Sequence, residues 1–178
     1  GTHMDVQVHS NAGDETIDAV PLERCMGPAW LVDLQGIAPK ALITVADLGS
    51  VAEEFAPDDS LVLRTGWSRF VDEPKWRDEL PRVSPELAEW CVEHKARMLG
   101  VEPPSVADVN NLPEVVRVHQ TLLGGGVLIV EGLTNLEEVR ETKFFFAALP
   151  LKPLDGDGSP VRAFAIEGIR PDGWPATA

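Results

Sequence analysis

Four short apolar runs recur along the middle of the chain: "AWLVDL" (29–34), "SLVLRT" (60–65), "RMLGV" (97–101) and "VLIVE" (127–131). Each is continuous rather than alternating in hydrophobicity. That pattern suits strands buried on both sides, in a sheet covered on at least one face by helices. The stretches between the runs read as those helices. "ITVADLGSVAEEF" predicts a helix from Thr44 or Ala46 to just before Pro57. Ser84 is placed to cap a helix with Pro85 at its first position, and Leu87, Cys91 and Met98 give it an apolar face. "LPEVVRVHQTLL" predicts a helix ended by Gly124, Gly125 and Gly126, and "TNLEEVRE" a short one capped by Thr134. "DEPKWRDELPRV" reads as loop or short helix and "EPPSVADVNN" as loop. "FFFAALPL" and "VRAFAIEG" complete the strands around a "DGDGSP" turn. The expectation is an α/β fold, with a single domain over 1–170 and a loose tail at 171–178.

Composition narrows the function. With 15 basic against 29 acidic residues the formal charge is −14, a surface that repels phosphate backbones and anionic membranes. No nucleic-acid or membrane partner is expected, and no apolar run reaches the length of a spanning helix. Cys25 and Cys91 lie far apart without CxxC spacing. They read as reduced, partly buried thiols of a cytoplasmic protein.

Candidate chemistry begins at "GTHMDVQVHS". The first four residues alone read equally as a vector remnant, but the spacing His3-x-Asp5-x3-His9 continues past them. His and Asp are standard ligands for zinc-like and manganese-like ions, and residues two apart on a strand share a face. On an extended chain His9 would lie about 13 Å from Asp5 at ~3.3 Å per residue, so it reaches a common site only if the chain turns after Asp5. His94, in "CVEHKA", reads as a solvated helix residue. His119 lies in "VHQTLLGGG", and Glu131 ends the apolar run "VLIVE". A carboxylate there is either a sheet-end residue facing solvent or a ligand at the carboxyl end of a strand.

The ordered segments "GTHMDVQVH", "VPLERCMGPAWLVDL", "SLVLRTGWSRF", "MLGVEPPSV", "VHQTLLGGGVLIVEGLTNL" and "FFFAALPLKPLDGDGSPVRAFAI" resemble the cyclase superfamily of metal-dependent hydrolases. That superfamily includes kynurenine formamidases and isatin hydrolases and carries the motif HxGTHxDxPxH. The resemblance implies a swivelling β/β/α fold. It implies that His3 is a ligand of a first metal, Asp5 a bridging carboxylate, His119 a ligand of a second metal and Glu131 a second bridging carboxylate. His9 then matches the catalytic acid/base histidine. The cofactor implied is one or two divalent ions, Zn2+ or Mn2+. The implied function is hydrolysis of an amide, a cyclic amide (arylformamide or isatin-like) or a lactone by metal-activated water. The implied partners are a small-molecule substrate and further copies of the chain, with loops such as "GWSRF" and "PKWRDEL" expected to meet a second copy.

The chain departs from the pattern in three places. The motif's first histidine would fall two residues before Gly1, and the family's N-terminal region is also absent, so a fragment of a longer protein is the expectation. Gln7 stands where the motif has Pro, and Glu102 where the family usually has Asp; the latter reads as structural. Two alternatives follow: a cyclase or lyase using the same metal to stabilise an enolate, or a degenerate member acting as a binding or structural subunit. "GGG" at 124–126 reads as a helix-ending turn, the packed Trp67 as core, and Asp155 and Asp157 in "DGDGS" as a plain turn rather than a calcium loop.

Overall fold

The structure is a computed structural model that describes residues 1–169. In chain order its elements are β1 (His3–Asp5), β2 (Met26–Asp33), β3 (Leu42–Ile43), α1 (Val51–Glu54), β4 (Ser60–Arg64), α2 (Lys75–Asp78), β5 (Arg82–Val83), α3 (Pro85–Glu93), β6 (Met98–Val101), α4 (Leu112–Gly124), β7 (Leu128–Glu131), β8 (Lys143–Pro150) and β9 (Gly158–Ile166). The tail expected at 171–178 lies outside the described residues. Among the described residues no helix is long and apolar enough to cross a membrane.

The main sheet closes into a barrel in the order β1-β7-β6-β4-β2-β8-β9, with β9 returning to β1. Strands β2, β4, β6 and β7 run parallel to their neighbours in that stretch, whereas β1, β8 and β9 join antiparallel. Closure explains the continuous apolar runs. Leu61, Leu63, Leu99, Val101 and Ile129 pack outward under α3 and α4, against Leu87, Cys91, Val118 and Leu122. Their neighbours Val62, Met98, Leu128 and Val130 pack with Met4, Leu31, Phe144 and Phe146 in a second cluster. The period of two along each strand therefore meets helices on one face and the closed sheet itself on the other. A second helical layer is not what buries that face.

Several local expectations change. The helix expected over 44–56 is two short pieces, a 3-10 turn at Val45–Leu48 and α1, separated at Gly49 with φ 56°. The short helix after β7 is a 3-10 turn at Leu136–Glu138 whose capping position is Asn135 at φ 60°, not Thr134. Asn tolerates that left-handed conformation better than β-branched Thr. Ser84 does cap α3, accepting from the Leu87 N–H, and Asn111 caps α4 by accepting from Glu114 N–H. The cysteines are free and buried, and burial pushes the thiols up to about 11 for Cys25 and about 12 for Cys91. Trp67 is 2% exposed and gives its indole N–H to the Trp76 carbonyl within the same chain, as expected of a core residue.

Glu102 follows β6 and is buried. One carboxylate oxygen accepts from the backbone N–H groups of Thr65 (2.6 Å), Gly66 (2.5 Å) and Trp67 (3.3 Å) and from the Thr65 hydroxyl (3.0 Å); the other accepts from the Ser68 hydroxyl (2.7 Å). One buried carboxylate thus fixes the loop leaving β4.

Candidate metal centre

The alternation that builds the core also builds the site. On β7, Leu128 and Val130 enter the second cluster and Ile129 faces the helices, so Glu131 also takes the helical side. On β1, Met4 belongs to the second cluster, which leaves His3 and Asp5 on the other face. Register then pairs His3 with Glu131 and Asp5 with Ile129. On α4, Val118, Leu122 and Leu123 are buried, and His119 sits on that same stripe at 4% exposure. The solvent-facing alternative for Glu131 is thereby excluded, since the residue is 3% exposed.

Past Asp5 the chain does turn. Residues Gln7–Ser10 form a 3-10 helix in which His9 N–H donates to the Val6 carbonyl at 2.9 Å. The turn forms without the motif's proline: the Gln7 side-chain oxygen instead accepts from Glu15 N–H at 3.3 Å. His9 Nδ1 lies 3.9 Å from Asp5 Oδ1, and its ring centroid is 5.8 Å from that of His119. All five expected residues therefore meet. They form two overlapping trios, His3–Asp5–Glu131 and Asp5–His9–His119, each offering ligand atoms within 4.8 Å of one another. Asp5 is common to both. Glu131 spans them by a different route, with Oε2 at 3.4 Å from His3 Nε2 and Oε1 at 3.4 Å from His119 Nε2.

Hydrogen bonds set the tautomers. His3 Nδ1 donates to the Gly1 carbonyl at 2.9 Å and His119 Nδ1 to the Val115 carbonyl at 2.8 Å. A carbonyl only accepts, so Nδ1 carries the proton and Nε2 faces the carboxylates in both residues. This is the arrangement by which metal-ligating histidines are held. Glu131 Oε1 is itself oriented by Val106 N–H at 2.8 Å.

The electrostatics are those of a cation site. The hydrogen bond to Glu131 raises the His3 pKa to about 9. Burial works against charge on His119, yet the Glu131 carboxylate outweighs it and shifts that ring upward as well. Burial and the neighbouring Glu131 charge push Asp5 up. Burial opposes ionisation of Glu131 too, but hydrogen bonds from His119 and His3 hold it below the usual range. Among the described residues Asp5 Oδ2 is buried with no hydrogen-bond partner. An unpaired buried carboxylate oxygen is costly, and a divalent cation would satisfy it. Imidazole nitrogens mixed with carboxylate oxygens suit zinc-like and manganese-like ions, so the residues present fit the group.

One neighbour was not legible as part of the site. His9 Nδ1 bonds Asp157 Oδ2 at 3.2 Å. Asp157 lies 148 positions downstream, in the "DGDGS" turn, and nothing in its local sequence marks it as more than a turn residue. In the same turn Asp155 N–H donates to Asp18 Oδ1 at 3.2 Å.

Comparisons with known proteins identify the family. A family model described as putative cyclase matches residues 1–108. The kynurenine formamidase of Salinibacter ruber is 30% identical over 165 residues, covering 92% of this chain and 73% of that protein. Isatin hydrolase A from Labrenzia aggregata superposes with a TM-score of 0.82 over 93% of this chain and 72% of its own; at 24% identity it speaks for the fold. A solved structure described as a potential metal-dependent hydrolase with cyclase activity is 28% identical, with a TM-score of 0.76, over 93% of this chain and 77% of its own. A barrel closed by a histidine- and aspartate-bearing strand, and a family model spanning that strand, lead to one conclusion: the chain belongs to the cyclase superfamily of metal-dependent hydrolases.

Proposed function

We propose that the chain hydrolyses a carbon–nitrogen bond in a small arylformamide or isatin-like cyclic amide, or the ester bond of a lactone, with His3, Asp5, His119 and Glu131 as metal ligands and His9 as acid/base. The observation that carries this reading is the pair of buried carboxylates, Asp5 and Glu131, facing two Nε2 atoms whose tautomers are fixed by backbone carbonyls. A divalent ion bound by these donors, Zn2+ or Mn2+, supplies a Lewis acid for the carbonyl and water of lowered pKa. Asp5 and Glu131 neutralise the charge concentrated there, and Asp5, common to both trios, ties the two halves of the site together. Val106 N–H and the Val115 carbonyl hold Glu131 and His119 in place. His9 has its Nδ1 occupied, and its Nε2 takes the proton of the attacking water and returns it to the leaving nitrogen or oxygen. The names of the relatives, kynurenine formamidase and isatin hydrolase, support this substrate class. Metal analysis of the purified chain, with turnover measured on a panel of N-formyl arylamines, isatins and lactones, tests the reading. Bound divalent metal with metal-dependent cleavage of one panel member is expected. A chain carrying stoichiometric metal but inert on all of them would refute the substrate class.

A further inference from the structure

We propose that Asp157, in the β8–β9 hairpin, is the positioning residue for His9: its carboxylate holds Nδ1–H and thereby presents Nε2 as the proton-accepting atom. The inference rests on the reading of His9 as the acid/base group.

The hairpin is fastened to the site by its backbone, so the carboxylate does not depend on a wandering loop. Val6 N–H donates to the Asp157 carbonyl at 3.2 Å, Ile17 N–H to the Gly156 carbonyl at 2.8 Å, and Gly158 pairs with Asp5 across β1 and β9. The approach at Gly158 is close. A Cβ there would stand 2.6 Å from the Met4 carbonyl oxygen and 3.0 Å from Asp5 Oδ1. Only glycine lets the hairpin come this near, and the residue before it is Asp157. His9 has its own backbone fixed by the 3-10 turn. Both ends of the His9–Asp157 hydrogen bond are therefore anchored.

The bond has a chemical consequence. Imidazole has two nitrogens, and a carboxylate can only accept, so Asp157 selects the tautomer with the proton on Nδ1. Nε2 is then a lone pair rather than a donor, the orientation that a carboxylate gives the imidazole in other His–carboxylate pairs. Asp157 has a side chain 68% exposed and makes no other side-chain hydrogen bond among the described residues. Exposed ion pairs contribute little to stability, so removing this one leaves the fold and the metal ligands in place.

The test is made on the zinc-loaded full chain with 15N-labelled histidine, at a pH alkaline enough to keep imidazole neutral. His9 is expected as the Nδ1–H tautomer, and Asp157→Ala should shift it toward the Nε2–H form with zinc stoichiometry unchanged. On whichever substrate the chain turns over, kcat should fall about 10–100-fold, the usual effect of an outer-shell partner, with KM little altered. Asp157→Asn should recover most of both, because no other group holds its amide and the oxygen can turn to Nδ1. An unchanged His9 tautomer in Asp157→Ala, loss of zinc in that variant, or no difference between Ala and Asn would each overturn the proposal. Absence of any turnover in the parent chain would refute the assigned substrate class, while the tautomer measurement would still decide the role of Asp157.

Discussion

Loading a divalent ion onto the metal-stripped chain should expel protons, in a number the site geometry sets. In the stripped chain, His3 at about 9 faces Glu131; two units above pH 7, such a ring is about 99% protonated. His119 is raised from 6.5, a value at which about a quarter would be protonated at pH 7, so it contributes more than that. Glu131 is held ionised by both rings and gives nothing. Ligation requires Nε2 of each histidine without its proton. The two histidines together should therefore release between about one and about two protons per site at pH 7, a contribution that falls toward zero once the pH is well above 9 and to which ionisation of metal-bound water would add. Isothermal titration of Zn2+ into the stripped chain, in buffers of differing ionisation enthalpy, reads the number as the slope of observed against buffer enthalpy. A zero slope at pH 7 would refute the argument, since it would mean that protons do not occupy the place of the metal. The same shift carries a stability sign. A raised histidine pKa stabilises the fold fully below about 6.5, and that contribution is lost as the pH rises through about 9. The stripped chain should therefore melt at lower temperature at the alkaline end of that window, and bound metal should reverse the loss.

Three further outcomes follow from contacts already described. Asp5→Ala should strip the metal, whereas His9→Ala should keep it and lower kcat by about 10²–10⁴; equal metal loss in the two variants would make His9 a ligand. Glu102→Gln should cost about 2–4 kcal/mol, because the Ser68 hydroxyl can accept from the amide but the row of backbone N–H groups is left with a neutral acceptor in place of a charged one. For a chain of this length that lowers Tm by roughly 4–16 °C, and an unchanged melting curve would show that Glu102 does not hold the loop. Gly158→Ala should cost about 1–3 kcal/mol through overpacking against Met4, visible as a shift in the denaturant midpoint.

Strands β2, β4, β6 and β7 were legible because burial on both faces leaves a continuous apolar run, whatever does the burying. The same fact hid the barrel: "VLIVE" looks alike under a helix or inside a closed sheet. The small β3–β5 pair, of two residues each, has too little pattern to see. In the site, His3, Asp5 and His9 were found through their spacing within nine residues. His119 and Glu131 could be placed beside them only through the family resemblance, since nothing local relates residues so distant. Asp157 had no such guide. Its partner is set by the register of β9 against β1, which no short window of sequence contains.

The pairing of β1 also fixes an order of events in folding. This strand precedes both of its partners, β7 and β9, by most of the chain, so the loop closures that seat it are the longest and slowest to search. During synthesis its apolar residues Met4 and Val6 must wait for residues 128–131 and 158–160 to appear. The last seam of the barrel to close is thus the one that assembles the ligands, and a metal ion present at that moment would act as a clasp on the finished fold rather than as a nucleus for it.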